Sequence, residues 1–300
     1  MTSEALTGDD VFAQILLLMA VPSPRAILLV EGPSDCSCLA AHILTETAQL
    51  LPCHGSQNLD RAIELVDQEG VLGVLALRDS DWIGLLYAAR TSRNIVYTDL
   101  YDLDSSLFLC TEVGHRLPMA FGRPANIERH VRSTGVGSGI ELAARIASEL
   151  GRMRLVSARY SLGLRLDDFP IHEVCDPRLG TVARDALIRL VLQRSESPSC
   201  TAEELAEYLD QELSVDAYRV CSGHDVVSVL AFLIRAAWGG RPHAGKAVIL
   251  DAAHAALSCG ELMRLKLYDG VCEWEDRTGR RVWACRPTGP EVATPVPLGR

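Results

Sequence analysis

The carboxylates of the first hundred residues follow a pattern: each group comes just after a short apolar run. Glu31 follows the run 26–30, Asp79 and Asp81 follow 71–77, and Asp99, Asp102 and Asp104 follow 94–98. Each run reads as a buried parallel strand, so three strand ends aim acids at one edge of a sheet, the edge where open α/β sheets bind ligands. In extended backbone Asp79 and Asp81 would share a face with Cα atoms about 7 Å apart, close enough for both to turn onto one divalent ion. Two carboxylates about 4 Å apart at an effective dielectric of 20 repel by about 4 kcal/mol. Such a cluster therefore calls for a cation or for proton uptake. Oxygen-only donors favour Mg²⁺ or Mn²⁺ over zinc. The matching chemistry is phosphodiester transfer, in which a metal clamps the scissile phosphate, activates a water and neutralises the leaving oxygen. Single members of the set are less specific. An acid after a strand is commonly a turn former, and Asp35 also reads as the cap of the helix it opens. The D-x-D pair alone would also suit a haloacid-dehalogenase phosphatase, but that chemistry wants D-x-D-x-T after the first strand. Here Ile83 fills the fifth place and the pair follows the third strand.

The elements that must hold these acids alternate in type. Strands are expected at 26–30, 49–53, 71–77 and 94–98, and helices at 35–47 and at 59–68, where Leu59, Ile63 and Val66 share a face. A β-α-β-α-β-(α)-β order within about ninety residues defines an α/β fold with a parallel sheet flanked by helices. Beyond residue 115 the pattern is mostly helical: 139–150, 184–193, a helix from a Thr201/Glu204 capping box to about Leu213, and 226–238 capped by Ser222 or Asp225. One or two strands are expected in 154–166. A small hairpin is expected in 271–285, turning at Asp276-Arg277-Thr278-Gly279, and a fraying end in 287–300. The chain thus divides into a metal-binding domain with an N-terminal helix, residues 1–115, and a mostly helical region, 116–300, for substrate, dimer or partner contacts.

The segment Ile27-Leu28-Leu29-Val30-Glu31-Gly32-Pro33-Ser34-Asp35, followed by Leu77-Arg78-Asp79-Ser80-Asp81, resembles the Toprim domain of topoisomerases, primases and OLD nucleases over residues 24–112. Residues 94–108, with Tyr97-Thr98-Asp99 and the acidic turn after it, are similar to the DUF4435 branch, which includes the nuclease subunit of the PARIS antiphage system. Ser222-Gly223-His224-Asp225 is similar to a C-terminal feature of that branch. The branch tends to carry Glu where this chain has Asp104. The resemblance implies that Glu31 is an acid/base or metal ligand, that Asp79 and Asp81 hold Mg²⁺, and that Asp35 supports them, with Asp104 at a further ligand position. It also implies a Toprim nuclease cutting RNA, with tRNA among the candidates. Such a nuclease would act as a toxic effector of antiviral defence, restrained by an ABC-type ATPase subunit. Topoisomerase chemistry would need a nucleophilic tyrosine in a separate domain and primase chemistry a template site, and neither is evident.

Composition bounds the alternatives. A net charge of −10 argues against a protein that coats nucleic acid through a broad positive face, leaving only a local basic site. The candidates for backbone contacts are Arg78, beside the D-x-D pair, and Arg152, Arg154 and Arg159. The longest apolar run, 11–21, is shorter than the ~18 residues a membrane span needs. Acids rather than basic residues precede it, so a cytoplasmic protein without a membrane or signal segment is expected. The ten cysteines include no C-x-x-C pair and read as small core residues. Two rivals to the nuclease remain: a non-catalytic Toprim module that binds a partner or nucleic acid, and a metal-dependent small-molecule phosphatase. A homodimer is compatible with the mean hydropathy of +0.12.

Overall fold

A computed structural model describes residues 6–240 and 244–286. The chain opens with α1 (Gly8–Met19), whose capping box has Asp10 accepting from the Thr7 amide while the Thr7 hydroxyl accepts from the Asp10 amide. It then runs through β1 (Ala26–Val30), α2 (Pro33–Leu39), a 3₁₀ turn (Ala40–His42), β2 (Ala48–Pro52), α3 (Ser56–Gln68), β3 (Val74–Arg78) and β4 (Ile95–Tyr97). The four strands form one parallel sheet in the order β2-β1-β3-β4. The expected α/β architecture is present.

Strand β1 is apolar throughout because both its faces are covered. Side chains alternate across a strand, and here Ile27 and Leu29 pack with Val11 and Ile15 of α1 and with Leu59, Ile63 and Val66 of α3. Ala26, Leu28 and Val30 point the other way, into a core shared with the helical remainder. That remainder comprises α4 (Leu103–Cys110), α5 (Glu112–Phe121), α6 (Pro124–Thr134), α7 (Gly139–Tyr160), α8 (Arg184–Arg194), α9 (Ala202–Gln211), α10 (Ala217–Val220), α11 (Gly223–Ala236), α12 (Lys246–Ala256), α13 (Cys259–Leu262) and α14 (Lys266–Thr278). A two-stranded ribbon, β5 (Cys175–Asp176) with β6 (Thr181–Val182), lies between α7 and α8. The Thr201/Glu204 capping box and the Ser222 cap are both formed.

Three expectations give way. Residues 154–160 are not strand but the continuation of α7, whose buried Leu150, Met153 and Val156 recur at helical spacing. Gly151 interrupts the pattern without ending the helix. A Cβ there would meet the Val220 carbonyl oxygen at 2.0 Å, so glycine is what lets α10 press against α7. The hairpin expected in 271–285 is also absent, because residues up to Thr278 belong to α14. Leu267, Val271 and Trp274 line its buried face, and Gly279, at φ 69°, ends it in the left-handed conformation typical of a helix stop. Finally, the helix after β1 is shorter than expected, ending as α2 and the 3₁₀ turn by His42. The expected fray at 287–300 lies outside the described residues.

Candidate active site at the carboxyl edge of the sheet

Glu31 is the first residue past β1, and Asp79 the first past β3. The two ends are tied together: the Asp79 amide donates to Glu31 Oε1 at 3.0 Å. Arg78, the last residue of β3, reaches across the edge. Its Nη1 donates to Glu31 Oε1 at 2.9 Å, to Asp81 Oδ2 at 2.8 Å and to the Asp79 carbonyl oxygen at 2.8 Å, and its Nε donates to Asp60 Oδ1 at 3.1 Å. The Arg78 side chain is 11 % exposed, so these pairs are partly shielded from solvent.

The D-x-D pair does not stay extended, and Asp79 and Asp81 do not stand on one strand face. The Ser80 amide donates to Thr98 Oγ1 at 3.0 Å and the Asp81 amide to the Tyr101 carbonyl oxygen at 2.8 Å, which turns the chain at once toward the segment after β4. Asp81 takes φ 41°, a left-handed conformation costly for a residue with a side chain. Such strain marks positions that the surroundings over-determine. Here the turn brings the Asp81 carboxylate back onto Arg78.

Behind this pair lies a second group of acids. Asp102 caps α4, accepting from the Ser105 amide at 2.6 Å, and also accepts from the Gly223 amide at 2.9 Å, so one half-buried carboxylate joins the starts of α4 and α11. Gly223 is required for the approach, since a Cβ there would meet Asp104 Cβ at 2.3 Å. Asp104 pairs with His254 Nε2 of α12 at 2.7 Å, and Asp35 accepts from the Gly32 amide at 2.8 Å, the capping role its position allowed. Among the described residues, nothing donates a hydrogen bond to the Asp79 side chain.

The consequence is a set of carboxyls held above their ordinary range. Burial pushes Asp79 well up, and Asp102, Glu31, Asp35 and Asp81 add repulsion. Burial, then Asp104, raises Asp102 to about 7, against the amides that favour its ionised form. Burial raises Glu31, with Arg78 opposing, and burial also raises Asp35, followed by Asp104 among the charges.

All five acids expected as ligands, Glu31, Asp35, Asp79, Asp81 and Asp104, therefore lie in one electrostatically connected region. Among the described residues, however, the one group of three such ligand atoms within 4.8 Å of one another lies elsewhere, so these acids do not close into a cage: Arg78 holds Glu31 and Asp81, the Gly32 amide holds Asp35 and His254 holds Asp104. The donor set, all carboxylate oxygen with Asp79 unpaired, fits a hard divalent cation. Glu31 and Asp81 would have to turn from Arg78 toward it.

The arginines assigned to nucleic acid have partners of their own. Arg152 binds Glu149, Arg154 is held by Asp225 and the Leu166 carbonyl oxygen, and Arg159 pairs with Glu212. Arg152 and Arg154 brace α7 rather than offering a free basic surface, and Arg78 belongs to the acidic edge itself. Sequence reasoning placed Asp102 in the acidic group without a role of its own, and missed Asp60 and His254 as members of the site. Asp102 stood in the acidic turn already noted, whereas Asp60 looks like any helix-surface acid and His254 lies 150 residues from its partner.

The fold and the edge define an α/β protein with a cluster of acids at the carboxyl ends of its strands. No protein-family model matches the chain, and comparison with curated proteins found no match.

Proposed function

We propose that the chain is a Mg²⁺-dependent, Toprim-class nuclease that cleaves phosphodiester bonds, with RNA as the favoured substrate. The observation that carries this reading is the delivery of Glu31, Asp79 and Asp81 by two strand ends onto one edge, backed by Asp35, Asp102 and Asp104. Bound there, Mg²⁺ or Mn²⁺ would act as a Lewis acid on the phosphate and make a bound water nucleophilic. Asp79, with no competing hydrogen bond, is the principal ligand, and Glu31 and Asp81 are its neighbours. Burial raises Glu31 above the ordinary carboxylate range, the direction that favours a general acid or base, with Arg78 opposing. Released as Glu31 and Asp81 turn toward the cation, the Arg78 guanidinium would offer its positive charge to an incoming phosphate. An effector role in bacterial antiphage defence, with an ABC-type ATPase as the restraining partner, follows from the resemblance alone.

A second reading has an observation of its own. Arg78 already neutralises Glu31 and Asp81, as a cation would, which suits a non-catalytic module that binds a partner or nucleic acid. Cleavage assays on tRNA and on single-stranded and duplex DNA, with Mg²⁺, Mn²⁺ or EDTA, separate the two. The nuclease reading expects metal-dependent cutting that falls at least 100-fold in both Glu31→Ala and Asp79→Ala. Retention of cutting in either folded variant rejects this site, and binding without cutting under every condition supports the module. Activity confined to small phosphate esters favours a phosphatase.

A further inference from the structure

A second constellation lies away from the acidic edge. The 3₁₀ turn ends at His42, which is buried, while Cys259 begins α13 and Cys285 stands near the end of the described chain. Residues 282–284 dock on the segment after the turn: the Leu44 amide donates to the Val282 carbonyl oxygen at 2.8 Å, and the Ala284 amide to the His42 carbonyl oxygen at 2.8 Å. This bridge carries Cys285 to Cys259, with Cα atoms 5.4 Å apart, and the two sulfurs are joined as a disulfide. The cysteines expected to be small core residues thus include one bonded pair at the surface.

The histidine beside this pair is what suggests a ligand. His42 Nε2 is 3.1 Å from the Leu257 carbonyl oxygen, which can only accept, so Nε2 carries the ring hydrogen and Nδ1 presents its lone pair. Nδ1 lies 3.3 Å from Cys285 Sγ and 3.9 Å from Cys259 Sγ. A backbone carbonyl fixing the far nitrogen is the usual outer support of a metal-binding imidazole. With zinc bonds of about 2.3 Å to sulfur and 2.05 Å to nitrogen, tetrahedral angles put the nitrogen and each sulfur about 3.6 Å apart. The observed pair of distances brackets that value. All three ligand atoms lie within 4.8 Å of one another, and Cys259 is exposed, leaving one side open to solvent.

We propose that His42, Cys259 and Cys285 form a binding site for a soft or borderline divalent cation, zinc by preference, when the two cysteines are reduced. A dithiol reductant gives the disulfide two electrons and two protons and leaves as its own cyclic disulfide. The cation then replaces the two thiol protons, taking both thiolates and His42 Nδ1, with water in the fourth position. The sulfurs need only rotate apart, because the imidazole is already in place. Metal and disulfide are therefore alternative ways of pinning residues 282–286 to the turn that follows α2. The acidic edge is not a competitor, since its oxygen donors suit hard cations and this set does not.

The test uses the full chain, reduced with a phosphine, freed of excess reagent under argon and titrated with Co²⁺ and then Zn²⁺ in the presence of saturating Mg²⁺. One equivalent of Co²⁺ should bind with a thiolate-to-cobalt charge-transfer band in the near ultraviolet, and Zn²⁺ should abolish the band. Cys259→Ser and Cys285→Ser should each lose the band and lower Zn²⁺ affinity at least 100-fold. His42→Asn should lower it at least 10-fold, whereas Cys200→Ser, which removes an unrelated half-exposed thiol, should change nothing. Circular dichroism checks that each variant is folded. The proposal is overturned if folded, reduced wild type shows two additional titratable thiols but no charge-transfer band. It is equally overturned if the band survives in either Cys259→Ser or Cys285→Ser.

Discussion

Asp79 is the residue on which charge and chemistry conflict most. A carboxylate partly withdrawn from water needs donors or a counter-ion, and half-buried Asp79 has no side-chain hydrogen bond among the described residues and is surrounded by other acids. Its ionised form is therefore a cost to the metal-free fold. Asp79→Asn keeps the shape and removes the charge, so the variant should be more stable than wild type in EDTA at about pH 8, by roughly 1–2 kcal/mol in denaturant midpoint experiments. The same change should abolish metal-dependent cleavage. A gain of stability with loss of function marks a strained site residue, whereas loss of both would show Asp79 to be an ordinary packing residue. The placement of Asp79 and Glu31 was legible in the sequence because Glu31 directly follows one apolar run and Asp79 stands one residue beyond another, each run reading as a buried strand. The bridging role of Arg78 and the left-handed turn at Asp81 were not. Both depend on Thr98, Tyr101 and Asp60, contacts that no local pattern encodes.

Among the elements, α4 and α11 meet start to start on one carboxylate, and that geometry rests on Gly223. A methyl group at position 223 would stand 2.3 Å from Asp104 Cβ and 2.7 Å from the Ser105 amide nitrogen, neither of which is a flexible chain end. Gly223→Ala should therefore cost about 1–3 kcal/mol of stability as the helices part. It should also weaken Mg²⁺ binding, because Asp102 and Asp104 move with α4. Unchanged stability would mean that the two helix starts are looser than their contacts indicate. The sequence cues at this scale were unequal. Ser222 and the Thr201/Glu204 box carry local capping chemistry, and both act where they were expected. Gly279 carries an ambiguous signal, since a positive-φ glycine serves a hairpin turn and a helix stop equally. The decision fell to the 3.6-residue spacing of Leu267, Val271 and Trp274. Gly151 lies inside a helix expected to end at residue 150, and its purpose is to admit the backbone of Val220 from a helix some seventy residues on.

For the whole molecule, the acids couple folding to pH with a sign opposite to that of salt-bridged carboxylates. Asp102 rises from 3.8 to about 7 in the folded chain, and Glu31, Asp35 and Asp79 also rise. Between the unfolded and folded values the folded state holds more protons than the unfolded one, so stability falls as pH increases. The contribution is complete below the unfolded value and is lost as pH passes through about 7. In EDTA, then, this cluster should lower Tm between about pH 5.5 and about pH 8, by roughly several degrees for a chain of this size. A divalent cation that binds only the folded state adds stability through RT ln(1 + [L]/Kd), and at low pH it must first displace the cluster's protons. Mg²⁺ should therefore raise Tm more at about pH 8 than at about pH 5.5, and calorimetric titration near neutral pH should detect proton release. Asp102→Asn should flatten the pH dependence in EDTA, since it removes the group that titrates near 7. A Mg²⁺ effect equal at the two pH values, with no proton released, would mean that the cation binds away from these acids, and the chemistry assigned to the sheet edge would lose its foundation.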